Sequence, residues 1–372
     1  MAKPTSASSA KINREVIATV YKLQAQFRKD LKDPRDRLRI TYPLETALVI
    51  IILARLAGCK DAVETSDFWK FKLSELQQYL PGLGADIPVP QTIRRLTALI
   101  KIDELMGTIT EYFAAPILKR EELEQSAPGG QPLRQRDVIS ADGQNLRGTN
   151  HVVIDEDGNA VTKNGYDIVS LYSSKHSIAF SQKVVDTKNQ EARAIIEMLE
   201  RVNVGGGILT WDALNTHPST LTAVLKAKAD YVVALKHNAG NVTDHVEGAF
   251  SVLDAHPNDR EFWKPAITST RTYKQSGRIY EKTITLLPAS AITDATERKK
   301  WPGLQSIIRV RTHRTLCRRG EVGKTSIDDR YFISSLKLDY SDKEYSQQMQ
   351  DVILSRWAVE RQISHQNLIA DF

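Results

Sequence analysis

Val138-Ile139-Ser140-Ala141-Asp142-Gly143-Gln144-Asn145-Leu146-Arg147-Gly148 alternates in character, carries one carboxylate and breaks at glycine. Period 2 puts Val138, Ser140 and Asp142 on one face of a strand and Ile139 and Ala141 on the other. Taken alone, Asp142-Gly143 reads better as a hairpin turn. The rest of the chain decides between strand and turn.

Downstream, residues 167–173 and 176–185 are strand-like and separated by a short polar turn, so the first three strands form an antiparallel meander. Residues 188–202 have Ala192, Ile195, Ile196, Leu199 and Val202 on one helical face, and Gly205-Gly206-Gly207 follows. A short apolar strand over 208–213 carries Asp212 near its end, Pro218 opens a helix to about residue 228, and 231–236 is again a strand. Three strands, a helix, a strand, a helix and a strand is the order of a ribonuclease-H-like α/β fold. It places Asp142 on the central strand and Asp212 on its neighbour. Hard Mg²⁺ binds few protein ligands, chiefly carboxylates, and two such ions clamp the attacking and leaving oxygens of a phosphoryl transfer.

A strand-rich insertion is expected over about 255–328. Within it Arg309, Arg311 and His313 share a face opposite Ile308 and Val310, as on a DNA-facing strand or an ordinary solvated sheet. Residues 330–336 read as the returning strand and 345–363 as a helix with Met349, Ile353, Trp357 and Glu360 near one stripe. An acid thus stands where burial is expected. Arg356, four residues earlier, suits a phosphate or a pair with that acid.

Upstream, residues 43–112 are helical in pattern, with Leu48, Ile51, Ile52, Arg55 and Leu56 on the 3.6-residue period. A proline-punctuated loop precedes a helix carrying Arg94 and Arg95, placed either for DNA, as in a helix-turn-helix, or on a plain solvated face. The formal charge is +6, and the first 40 of the 372 residues hold that excess: ten Lys/Arg against four Asp/Glu. A basic arm on a balanced body points to a polyanionic partner or to a solvated tail. The expected organisation is a basic arm over 1–42, a small all-α domain over 43–124, a linker over 125–135 and the α/β domain over 136–372.

The N-terminus has no apolar leader, and the apolar run over 47–54 is far short of the ~18 residues of a membrane span. A cytoplasmic, nucleoid-associated protein with two free thiols, Cys59 and Cys317, is expected.

From about Pro43 onward the chain resembles bacterial insertion-sequence transposases of the DDE type, in the subfamily with a helical DDE-transposase-associated domain that includes the H-repeat-associated proteins. The residues that carry the resemblance are Asp142-Gly143, Leu146-Arg147-Gly148, Trp211-Asp212-Ala213, Asp230-Tyr231-Val232-Val233-Ala234-Leu235-Lys236 and Asn238. It implies metal-holding catalytic acids at Asp142 and Asp212 and a third late in the chain, for which Glu360 is the candidate. Mg²⁺, with Mn²⁺ as substitute, would be the cofactor. DNA would be the partner, gripped by Arg94, Arg95, Arg147, Lys236, Asn238, Arg309, Arg311 and Arg356. A homodimer is expected at least when DNA is bound. Gln144, His237-Asn238-Ala239 and Arg361 depart from the family pattern, which also runs on beyond the position of Phe372. The alternatives are a catalytically inert or repurposed DNA-binding protein and a stand-alone metal-dependent nuclease.

Overall fold

The computed structural model describes residues 6–36, 40–80, 82–109, 112, 132–145, 151–154, 160–163, 165, 167–185, 190–236, 240–318 and 321–366. The chain divides into two compact units, Met1–Pro116 with His365–Phe372, and Ile117–Ser364.

The first unit is helical: α1 (Ser6–Asp30), α2 (Leu44–Leu56), α3 (Ala62–Tyr79), α4 (Pro90–Leu99) and α5 (Ile102–Ile109). Helix α2 is apolar almost all round and is correspondingly buried, with Leu48, Ile50 and Ile51 at its heart. Asp61 caps α3 by accepting hydrogen bonds from the Val63 and Glu64 backbone N–H groups at 2.8 and 2.9 Å. Pro90 supplies the first turn of α4, where its missing N–H costs nothing.

Part of the stretch expected as a basic arm over 1–42 packs with the helices that follow. Leu23, Phe27 and Leu31 of α1 and the segment after it are buried in the same core as Leu48, Ile51 and Trp69. Gln24 Nε2 donates to Thr46 Oγ1 at 3.0 Å, and the Tyr112 hydroxyl donates to the Thr19 carbonyl at 2.7 Å. Spacings of four between these apolar positions give α1 a core-facing stripe, and Lys22, Arg28 and Lys29 are exposed beside it. Arg28 pairs with Glu45, and Arg35 with Asp33 and the Tyr42 carbonyl.

The second unit is a mixed α/β body around a nine-stranded sheet. Its strands are β1 (Val138–Asn145), β4 (Asp167–Ser173), β5 (Ile178–Val185), β6 (Ile208–Thr210), β7 (Asp230–Leu235), β8 (Ile267–Gln275), β9 (Arg278–Pro288), β10 (Ser306–Arg318) and β11 (Glu321–Ser334), and β2 (His151–Ile154) and β3 (Ala160–Lys163) form a small separate hairpin that the sequence pattern did not suggest. The spatial order is β5-β4-β1-β6-β7-β11-β10-β9-β8. β1, β4 and β5 are the expected antiparallel meander, and β6 and β7 run parallel to β1. The insertion continues this sheet, because β11 pairs antiparallel with β7.

Helices α6 (Glu191–Leu199), α7 (Pro218–Lys226) and α8 (Asn241–Ala255) belong to the connections between strands, followed by the short α9 (Arg260–Trp263) and α10 (Ala295–Lys299). The last helix, α11 (Tyr345–Gln366), buries Tyr345, Met349, Val352 and Ile353 against Val138, Ile208, Val232, Ile284, Ile308 and Phe332. Val138 and Ile208 share the strand face of Ser140 and Thr210, so α11 lies on that side. Phe250 of α8 lies 5.9 Å from the ring of Tyr331, which alternates with Phe332, so α8 covers the opposite side.

We expect Phe27→Ala to destabilise the helical unit by about 3–5 kcal/mol, the usual cost of emptying a buried phenylalanine site. Denaturant unfolding of the full chain followed by helical circular dichroism checks this. An unchanged midpoint would return residues 1–42 to the status of an appended arm.

Candidate active site

Parallel pairing of β1 with β6 matches Val138 to Ile208, Ile139 to Leu209 and Ser140 to Thr210. Asp142 and Asp212 each stand two residues beyond the last rung of this pairing, Ser140 opposite Thr210. Asp142 follows the alternation of Val138 and Ser140, hence the α11 side of the sheet. β6 ends at Thr210, and Asp212 caps the 3₁₀ turn Ala213–Asn215, its Oδ1 accepting from the Ala213 N–H at 2.8 Å. Asp212 Oδ2 faces Lys236 Nζ at 3.4 Å, and both side chains reach solvent. Trp211 is fully buried and anchors the start of this turn. On the other flank Asp142 pairs in register with Ser170, whose hydroxyl accepts from Gln182 Nε2 at 2.8 Å.

Behind this pair lies a group that sequence reasoning missed. Glu191, the first residue of α6, is 6% exposed, and its Oε2 accepts from Asn215 Nδ2 at 2.8 Å. Its Oε1 lies so close to Gly143 that a Cβ there would stand 2.3 Å away. Gly143 alternates with Asp142, so Glu191 lies on the opposite face of the sheet. Gly143 is therefore a strand residue kept bare for a close approach, and the hairpin-turn reading of Asp142-Gly143 falls. A lone glycine inside a strand pattern was the available signal.

A second unforeseen cluster fastens the starts of the central strands. Arg136 donates to the Gly206 and Gly207 carbonyls at 2.7 and 3.1 Å and pairs with Asp230 at 2.6 Å. Asp230 Oδ1 accepts from the Ser335 hydroxyl at 2.6 Å. Asp230 thus serves as a clamp.

Glu360 and Arg356 lie on α11, but their side chains are outside the described residues, as are Arg147 and Asn238 altogether. Arg94 and Arg95 are exposed on α4, opposite to the buried Ile93 and Leu96. Arg309 and Arg311 do share one face, yet they are engaged within the protein. Arg309 makes two hydrogen bonds to Asp254 at 2.7 and 2.9 Å, is 4% exposed and stacks on Phe250 at 4.9 Å. Arg311 bridges Asp254 and Asp329. The DNA role expected of Arg309 meets this obstacle: its cation is buried at the junction of α8 and the sheet. Among the described residues there is no group of three or more His, Cys, Asp or Glu that could hold a metal ion. Cys59 and Cys317 are free thiols, and no described helix is long and apolar enough to cross a membrane.

Burial raises the Asp254 carboxyl, but the hydrogen bonds from Arg309 and Arg311 outweigh it and hold the group below the ordinary value of 3.8. A depressed folded-state value means stability that is present above 3.8 and lost as pH falls through the folded value. Asp254→Asn should be less stable than wild type at neutral pH, and the gap should hold down to about pH 4 and narrow from there to about pH 2. Urea midpoints across that range test it, and a constant gap would contradict it.

Residues 25–113 match the DDE_Tnp_1-associated family. The chain is 26% identical over 299 residues to the uncharacterized protein in the dhlA 3′ region of Xanthobacter autotrophicus, spanning 80% of this chain and 89% of that one. It is 23% identical to the H repeat-associated putative transposase YhhI of Escherichia coli K12, spanning 90% of this chain and 79% of that one. A remote backbone likeness, with a TM-score of 0.37 and 12% identity, covers 94% of this chain and 66% of the piggyBac transposase in a synaptic complex with hairpin DNA. The chain is thus similar to DDE_Tnp_1-associated proteins over residues 25–113 and, over most of its length, to H repeat-associated putative transposases.

Proposed function

We propose that this protein is a DNA transposase whose second unit is a ribonuclease-H-like catalytic domain, with Asp142, Asp212 and Glu360 as its acids. The observation that carries the reading is the parallel register of β1 and β6, whose last rung, Ser140 opposite Thr210, stands two residues before Asp142 and Asp212 alike. The strand order β5-β4-β1-β6-β7, with the first three strands antiparallel and the next two parallel to β1, supports the fold assignment.

Chain length supports the third acid. The turn before β1 approaches α11 through the hydrogen bond of the Arg134 N–H to Gln348, and further along Val138 lines one cavity with Val352 and Ser355. Strand and helix therefore advance together. Four residues of strand from Val138 to Asp142 rise about 13 Å, and eight residues of helix from Val352 to Glu360 rise about 12 Å. On that spacing the helix backbone at Glu360 would come level with Asp142, which supports it as the third acid.

Two carboxylates with a solvent-facing edge suit a hard divalent ion, Mg²⁺ or Mn²⁺ in its place. Bound there, such ions supply activation of a water or a 3′-hydroxyl and neutralise charge on the transferring phosphoryl group. The chain's own side chains do the rest. Asp142 and Asp212 hold the site, and the backbone N–H bond to Asp212 Oδ1 fixes that carboxylate's orientation. Lys236, poised at 3.4 Å from Oδ2, keeps a mobile cation beside the phosphate path. Arg94 and Arg95 offer exposed phosphate contacts on the helical unit. Arg147, Asn238 and Arg356 complete the proposed DNA contacts, Arg311 contributing at its exposed edge. Two element ends require two copies, so we propose at least a dimer on DNA.

Incubation with element-end DNA and Mg²⁺ or Mn²⁺ should give strand cleavage followed by joining of the 3′ end to target DNA. Asp142→Asn, Asp212→Asn and Glu360→Gln should each lose about three orders of magnitude or more in rate, the equivalent of several kcal/mol of transition-state stabilisation. Cleavage that survives these changes would refute the site. Cleavage without joining would make the protein a nuclease, and binding without cleavage an inert DNA-binding relative.

The helical unit gives a separate test. Arg94→Ala with Arg95→Ala should weaken DNA binding about equally on all sequences and lower the salt slope by about 2, one for each arginine–phosphate pair removed. Fluorescence anisotropy over a salt series measures this, and an unaltered slope would remove the two arginines from the interface.

A further inference from the structure

A carboxyl group buried to 6% exposure is a costly filler unless specific hydrogen bonds replace those it made to water. An apolar side chain would pack behind the strands at less cost. Glu191 instead touches the segments that carry the proposed acids. Its Oε2 accepts from Asn215 Nδ2 in the turn opened by Asp212, at 2.8 Å. Its Oε1 rests against the bare Cα of Gly143, the neighbour of Asp142. Asn215 is itself 7% exposed, and its carbonyl accepts from the Thr220 hydroxyl at 2.9 Å, so this turn has little freedom to shift once the Glu191 bond is made. As the first residue of α6, Glu191 also sits where the helix N-terminus favours negative charge, which offsets part of the burial cost.

We propose that Glu191 is a positioning residue: from the far face of the sheet it ties the Asp212 turn to β1 at Gly143 and so sets the separation of Asp142 and Asp212. The inference rests on the reading of those two acids as ligands of a divalent ion. Glu191 works as a hydrogen-bond acceptor and a spacer, without touching the ion. Gly143 is required because any side chain there would push the carboxylate away from the strand. Outer groups that orient ligands typically change metal affinity by about 10–100-fold when removed.

Mn²⁺ binding to the full-length protein, read as the loss of free Mn²⁺ signal by electron paramagnetic resonance, tests the role without recourse to turnover. Wild type should bind Mn²⁺, and Asp142→Asn should abolish that binding. Glu191→Ala should weaken it by about tenfold or more while thermal unfolding remains cooperative. Glu191→Gln, which keeps an acceptor oxygen and the volume, should recover binding to within about threefold of wild type. Gly143→Ala, which displaces the carboxylate without deleting it, should weaken binding in the same direction and serves if Glu191→Ala does not fold. Folded Glu191→Ala or Gly143→Ala with wild-type affinity would overturn the positioning role while leaving the site reading intact. Glutamine as poor as alanine would overturn the acceptor assignment. Wild-type protein that binds no Mn²⁺ through Asp142 would overturn the site reading and this inference together.

Discussion

The parallel pairing of β1 with β6 is the constraint on which the centre of the second unit depends. A slip of one residue would send Asp142 to the opposite face and separate it from Asp212. Several contacts oppose such a slip. The Ile208 N–H donates to the Asp137 carbonyl at 2.8 Å, at the first rung of the pairing. Arg136 holds the Gly206 and Gly207 carbonyls and, through Asp230, the start of β7. Gly207 lets β6 come in: a Cβ there would stand 2.9 Å from the Ile139 side chain and 3.0 Å from the Val204 carbonyl. The glycine run before β6 is therefore a packing requirement as well as a helix stop.

Charges in this unit divide into two populations by burial. Arg309, Arg311, Asp254 and Asp329 neutralise one another where α8 meets the long strands, and breaking one partner there would leave another partly desolvated. Their geometry suits cohesion of the insertion with the rest of the sheet. Asp212 and Lys236, by contrast, meet at 3.4 Å with solvent access, a contact weak enough to be exchanged for a ligand. Formal charge along the sequence does not separate these cases. Fractional exposure and pairing do.

Much of the central sheet was legible because its cause is local. Alternation in β1, β4, β5 and β7 and the amphipathic period of α6 follow from side-chain placement within one element. The pattern failed where the cause lies elsewhere in the chain. The cations of α1 hid a stripe at Leu23, Phe27 and Leu31 that becomes meaningful only beside Leu48 and Trp69. Glu191 follows the polar run Asp186-Thr187-Lys188-Asn189-Gln190 and reads as an ordinary solvated helix start. Its burial depends on Gly143 and Asn215, 48 and 24 residues away in sequence. The pair of Arg309 with Asp254 spans 55 residues, which no alternation within β10 reveals.

The position of the two acids also follows from the way the sheet is wound. The chain leaves β1 toward β4 and β5 on one side, and later segments add β6 and β7 on the other, so strand order reverses between β1 and β6. Connections on either side of such a switch diverge and leave a crevice beyond the strand ends, where ligands of open α/β sheets commonly bind. Here unequal strand length enlarges it. The pairing of β1 with β4 runs through Asn145, whereas its pairing with β6 stops at Ser140 and Thr210. The segment from Ala141 to Asn145 therefore continues past the last β6 rung, with Asp142 facing into the gap and the Asp212 turn bordering it. Lys236 follows the end of β7 on the same side. The strand truncation that ends hydrogen bonding at Thr210 leaves the far part of β1 without a neighbour on that side, and the turn that replaces the missing strand is held from behind by the hydrogen bond of Asn215 to Glu191.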